Sequence, residues 1–284
     1  MHTALSALLA LGAAALFGAS TVIQQTAARS EEGVSLVGVK VVRRLLHRPR
    51  WIAGVALSGV SFGVQALALA FGPLVLVLPI AATDLLFAMP ILAYKRHVRL
   101  RATDWLAAAL VAGGIATFLV LLPGSPGRAE PHLLDWALVL AGVGSALAVM
   151  LPLALRRKAV GRTAFLAASA AVVFSLVDAL SKAFVGSLGT HGVAALARWE
   201  PCGLLVAGAV GIILGQGAYR SGSLLVSLPI IDSVEPVAGV LIGATAFGER
   251  VAPSLGILVL QLAAGLVAVA GIVILDRSPL ISAT

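Results

Sequence analysis

Apolar residues in this chain come in runs of about twenty, one after another from the first residues to the last, and that recurrence constrains the fold more than any motif does. A bilayer's hydrocarbon core, about 30 Å thick, is crossed by roughly 20 residues of helix, because in lipid each backbone N–H and C=O must be satisfied within its own segment. Nine such runs are expected to be helical spans: residues 4–27, 51–71, 73–94, 104–122, 133–155, 164–187, 200–220, 224–247 and 254–275. The stretches between them are too short for a soluble domain. Composition agrees, since 60% of residues are hydrophobic and only 11% are charged, which excludes an ordinary soluble fold. The reading is an all-α polytopic membrane protein, a single transmembrane domain over 1–284. Its first run lacks a basic leader and carries Thr21, Gln24 and Gln25, so it reads as a retained span rather than a cleaved signal. The one cysteine, Cys202, has no internal disulfide partner and reads as a packing residue.

The net charge of +8 would point to nucleic acid in a soluble protein, but here its distribution between alternate loops carries the information. With the N-terminus outside, the inner loops hold Arg29, Lys40, Arg43, Arg44, Arg48, Arg50, Lys95, Arg96, Arg99, Arg101, Arg156, Arg157, Lys158, Arg162, Arg220 and Arg277. That is sixteen of the twenty lysines and arginines; Arg128, Arg198 and Arg250 fall outside, and Lys182 within a span. The positive-inside rule therefore predicts an integral protein of the plasma (inner) membrane, N-terminus out and C-terminus cytoplasmic. Trp51, Tyr94, Trp105, Trp136, Trp199 and Tyr219 all sit at span ends, where amphipathic rings favour the headgroup region. Lys40, Arg43, Arg44 and His47 recur at helical spacing, as a segment lying on anionic inner-leaflet lipid would; ordinary positive-inside anchoring explains them too.

Two blocks of sequence run in parallel. Phe62 to Leu92 can be laid on Ile213 to Ile242, with Gly72 on Gly222 and Pro79 on Pro229 at an offset of 150 and Gln65 on Gln216 at 151. Upstream, Phe17 to Gln25 can be laid on Phe174 to Lys182. Five spans separate each helix from its counterpart, and an odd number inverts the second copy. The expected architecture is two inverted-topology repeats, spans 1–4 (about 4–122) and 6–9 (about 164–275), around linking span 5 (about 133–155). Such repeats place a site near the midplane, at matched helix interruptions. Pro79 and Pro229 form such a pair, and Pro236 adds a third break or gating position.

Ionisable groups in mid-span cost on the order of 3 kcal/mol each, so they should face one another or a wet cavity. The candidates are Asp84 in the third span, Asp178 and Lys182 in the sixth, and Asp232 and Glu235 in the eighth. Asp178 and Lys182 are four apart with the acid first, a spacing that lets them neutralise each other. Fully ionised, the five sum to four negative charges and one positive, a cluster that attracts cations or holds protons. Gln65 and Gln216 can line the same route, although interhelical hydrogen bonding explains them as well. A closed structural network centred on Lys182 is the bland alternative.

Other patterns carry no chemistry. Gly59 to Gly63 matches a nucleophile elbow around Ser61, but that motif needs a strand, a turn and a helix rather than an unbroken apolar run. The five histidines, His2, His47, His97, His132 and His191, lack ligand spacing, and no phosphate-binding loop is present. No enzymatic role and no nucleic-acid partner are expected.

The residues resemble the drug/metabolite transporter superfamily, and within it the EamA/NIPA-like branch associated with magnesium transport. The resemblance covers nearly the whole chain. It rests on the nine-span layout, Gln65 through Phe71, Gly72 and Pro79, the SLVDALSKAF stretch with Lys182, Gln216 and Pro229, and Gly248-Glu249-Arg250. The first half ends instead in Tyr94-Lys95-Arg96, without the acid the second half has. The resemblance implies secondary transport by alternating access without a cofactor. The substrate expected is a small cation, Mg²⁺ by analogy with the branch, with Asp84, Asp232 and Glu235 as its metal-facing acids in a roomy, wet cavity. A proton-coupled exporter of a small organic molecule and a non-transporting membrane scaffold are the alternatives.

Overall fold

The computed structural model describes residues 2–29, 49–97, 99–123, 127–128, 130–157, 159–221 and 224–276. The basic segment at Lys40, Arg43, Arg44 and His47, the loop residue Lys158 and the tail with Arg277 lie outside them. The described residues form helices α1 (His2–Arg29), α2 (Pro49–Phe71), α3 (Leu74–Ala81), α4 (Asp84–Arg96), α5 (Ala102–Val120), α6 (Leu133–Arg156) and α7 (Ala159–His191), a 3₁₀ turn (Gly192–Ala197), then α8 (Trp199–Ser221), α9 (Leu224–Ala246) and α10 (Leu255–Asp276). Among the described residues, seven helical stretches are long and apolar enough to cross a membrane. The outer faces of the helices are apolar too, with Leu8, Val60, Leu106, Leu140, Leu205, Leu241 and Leu266 all exposed, as expected of helices whose solvent is lipid.

The third expected span is not one helix. It breaks at Ala82–Thr83 into α3 and α4, three residues beyond Pro79. Proline has no N–H to give and its ring crowds the carbonyl four residues back, which weakens the turn before it; one turn further on, Thr83 N and Thr83 Oγ1 both donate to Ile80 O, at 3.0 and 2.6 Å, and close α3. Asp84 then opens α4, its Oδ1 accepting the Leu85 N–H at 2.8 Å. The expectation of matched interruptions holds for one half only, because the α9 backbone stays helical through Pro229 and Pro236.

Packing is organised around α7, which lies against α2, α6, α8 and α9, while α1 lies against α2, α3 and α4. α5 and α10 run antiparallel in close contact. A Cβ on Gly114 would stand 2.6 Å from Ala264 O and 2.7 Å from Ala268 N; a Cβ on Gly271 would stand 2.8 Å from both Ala107 O and Val111 N. Small residues here allow backbone to touch backbone.

The two ends of the bundle differ. Where α2 and α9 finish, one continuous core joins Ala10, Leu69, Leu74, Val77, Trp136, Leu180, Ala207, Ala246 and Phe247 from seven helices. At the opposite end the buried residues fall into separate groups, Val22, Ala88, Met89 and Ala107 in one and Ala167, Ala171, Ala218 and Ile231 in another. Among the described residues, the first end is sealed by a single core and the second is parted into several smaller ones.

Candidate functional site

Three residues built around α7 define the sealed end. Gly248, at φ +64°, turns the chain after α9 so that Glu249 N donates back to Gly243 O at 3.0 Å. This turn aims the Glu249 carboxylate inward, onto the start of α3, where Oε1 accepts Leu74 N at 2.9 Å and Oε2 accepts Val75 N at 3.0 Å. A helix N-terminus offers free amides and partial positive charge, both of which suit a carboxylate. Lys182 Nζ donates to the same Oε1 and lies 4.6 Å from the centre of the Phe247 ring. Phe247 is in turn edge-on to Trp136 at 6.3 Å, and Trp136 to Trp199 at 5.0 Å. Gly243 leaves room for all this, since a Cβ there would meet Glu249 Oε2 and Leu74 Cβ. Lys182, Phe247 and Glu249 are all buried.

This corrects the expected pairing. Lys182 is salt-bridged to Glu249 and not to Asp178, four residues before it. Glu249 carries a second advantage over Asp178 as a partner, because its remaining lone pairs are already met by two α3 amides, and a buried ion pair holds only when its other hydrogen bonds are satisfied. Sequence reasoning placed Glu249 in a loop-end motif and missed this role. The signal available was an acid directly after a helix-ending glycine, facing an intramembrane lysine that must find a partner.

One turn along α7, Asp178 Oδ1 accepts Gln65 Nε2 at 2.8 Å. Its Oδ2 is buried without a donor. The Glu235 carboxyl lies close to the Asp178 carboxyl, and Asp84 is close enough to Glu235 to act on it through charge. Ser175 Oγ, donating to Glu235 O at 2.7 Å, ties α7 to α9 here. Two carboxylates so close repel one another, so the pair favours a proton or a cation between them. Asp178 is buried, whereas Gln65, Asp84, Asp232, Glu235, Pro236 and Thr21 are half-buried, and Asp84, Glu235 and Thr21 lie toward the parted end. The side chains of Gln216 and Pro229 lie outside the described residues, as do those of Gln24 and Gln25.

The structure thus brings together Gln65, Asp178, Glu235 and Asp84, and moves Lys182 out of that group to the sealed end. Asp84, Asp232 and Glu235, expected as metal-facing acids, do not form a ligand set: among the described residues no three acid, histidine or cysteine side chains are gathered closely enough to hold a metal ion. A shallow depression of about 400 Å³ lined by Pro90, Ala93, Tyr94, His97, Arg99, Leu100 and Trp105 lies at the far end of α4, away from these groups.

The chain is similar to an uncharacterized protein of Corynebacterium glutamicum, 29% identical over 248 residues that make up 87% of this chain and 86% of that protein. No family model matches the chain. No solved structure matches it.

Proposed function

We propose that this chain is a secondary transporter that moves a small cation across the membrane by alternating access, exchanging it for protons at the Asp178–Glu235 carboxyl pair. The observation that carries the reading is that pair: two carboxyls close together on different helices, one buried and one half-buried. Removal of their shared proton leaves negative charge that a cation must neutralise, so the two ligands compete for one site. Gln65 orients Asp178, and Asp84 adds a further charge near the entrance.

Nine membrane spans in two inverted repeats supply the moving parts of this reading. Support comes from reciprocal packing at two recurring offsets, 157 and 151 positions. Ala107, Val111 and Gly114 of α5 stand 157 positions before Ala264, Ala268 and Gly271 of α10, and each glycine meets the other helix's alanine and its neighbour. Gly18 lies against the Asp84 carbonyl, and Ser175, 157 positions on, hydrogen-bonds the Glu235 carbonyl, 151 positions on from Asp84. His97 and Gly248, also 151 apart, both take the left-handed conformation after their helices. A two-fold axis relating two halves predicts such mutual contacts. With the N-terminus outside, as the charge distribution favours, the sealed end is external and the parted end is cytoplasmic.

A second reading, export of a small organic cation in exchange for protons, is favoured by the lack of a three-ligand metal set among the described residues. Half-buried acids in the parted end argue against a scaffold, whose polar groups should be closed off. The test is purified protein in liposomes with an imposed pH gradient, following entrapped Mg²⁺ indicator and internal pH. Mg²⁺ flux that requires both Asp178 and Glu235 supports the metal reading. Proton movement that appears only with an added organic amine supports the second. Absence of both with folded protein refutes transport.

A further inference from the structure

Lys182 has one carboxylate as its partner and a second one helical turn away. Ahead of it is Glu249, to which it is bonded; one turn behind it, on the same face of α7, is Asp178. Residues four apart on a helix have Cβ atoms roughly 5–6 Å apart, within a lysine's reach. Asp178 also has an oxygen, Oδ2, that is buried with no donor. In the neutralised pair a proton shared with Glu235 can meet it; in the bare pair it has no donor, and buried acceptors are nearly always satisfied. The groups facing this segment of α7 are Glu235 from α9, Phe247 and Glu249 after it, Gln65 from α2 and the Leu74 and Val75 amides of α3.

We propose that Lys182 is a switchable internal cation: it pairs with Glu249 while the Asp178–Glu235 pair is neutralised by a proton or cation, and moves one helical turn to Asp178 when that pair is bare. The inference rests on the reading of that pair as the transport site. Moving Lys182 withdraws it from the Phe247 ring and leaves Glu249 held by the two α3 amides alone. The contacts that close the sealed end are then weakened, so the occupancy of the site sets the state of the gate. An arriving cation displaces the ammonium back to Glu249, and the end closes behind it. The switch needs no movement of the α7 backbone, only new side-chain torsions.

The test uses the full chain in detergent, with Cys202→Ser and Ala246→Cys supplying one thiol at a position fully buried beside Phe247. With Glu249→Gln, Lys182 passes to Asp178, and an impermeant maleimide labels the thiol about tenfold faster, a population shift of that size following from loss of one partner. Asp178→Asn alone does not speed labelling. Joined in one chain, the two substitutions leave the ammonium without either of its two partners, so Tm falls by more than the sum of the separate shifts. Adding Lys182→Met restores it. Additive Tm shifts, an unchanged labelling rate in Glu249→Gln, or a Glu249→Gln chain that cannot fold while Asp178→Asn can, each overturn the switch. Neither readout involves flux: non-additive shifts without transport retain the switch and remove the transport reading, and flux with additive shifts does the reverse.

Discussion

Substituting alanine for Gly114 tests the close α5–α10 contact on which the two-fold reading depends. The added Cβ would lie 2.6 Å from Ala264 O, 2.7 Å from Ala268 N and 2.9 Å from Ala268 Cβ. Two of those atoms are backbone, so no rotamer change relieves the clash and the helices must separate. Overpacking of a methyl-sized group costs about 1–3 kcal/mol, and a backbone obstacle puts this site at the upper end, about 3 kcal/mol. Alanine's better helix propensity returns roughly 1 kcal/mol, leaving a net loss of about 2 kcal/mol. Gly113, one residue before, would have nothing within 4 Å of an added methyl and serves as the control: Gly113→Ala should be neutral or slightly stabilising. Gly271→Ala should match Gly114→Ala, and the double variant should lose less than the sum, since helices already separated accept the second methyl. Reversible denaturation in mixed micelles reads all four. If Gly114→Ala proves as harmless as Gly113→Ala, the contact geometry is wrong.

Lys182→Met should destabilise the chain by about 3 kcal/mol, because it strands a buried carboxylate, and Glu249→Gln in the same chain should recover most of that; denaturation midpoints check both. In liposomes, Asp178→Asn and Glu235→Gln should each lower proton-driven cation flux at least about tenfold with unchanged folding, a loss of about 1.4 kcal/mol or more of transport-step stabilisation. Gly243→Leu should force Glu249 off the α3 amides and raise labelling of the thiol introduced by Ala246→Cys. Cys202, exposed at the start of α8, should react with an impermeant maleimide added to intact cells; protection there with labelling of inverted vesicles would reverse the assigned orientation.

Helical spans were legible because lipid leaves a backbone no other way to satisfy its hydrogen bonds, so twenty apolar residues declare themselves. The described helices accordingly begin and end near the expected limits, from α1 at His2–Arg29 to α10 at Leu255–Asp276. Mid-span acids were equally legible, since their placement is too unfavourable to be incidental, and Gln65, Asp178, Glu235 and Asp84 do meet. What local sequence could not decide was partner choice. Asp178 at four residues and Glu249 at sixty-seven were both open to Lys182, and only the tertiary fold, by bringing the α3 amides and Phe247 to Glu249, made the distant acid the better solvated one. The break at Ala82–Thr83 and the continuity of α9 through its prolines were also decided by surroundings, because a proline removes one hydrogen bond in either helix and packing determines whether the chain bends there.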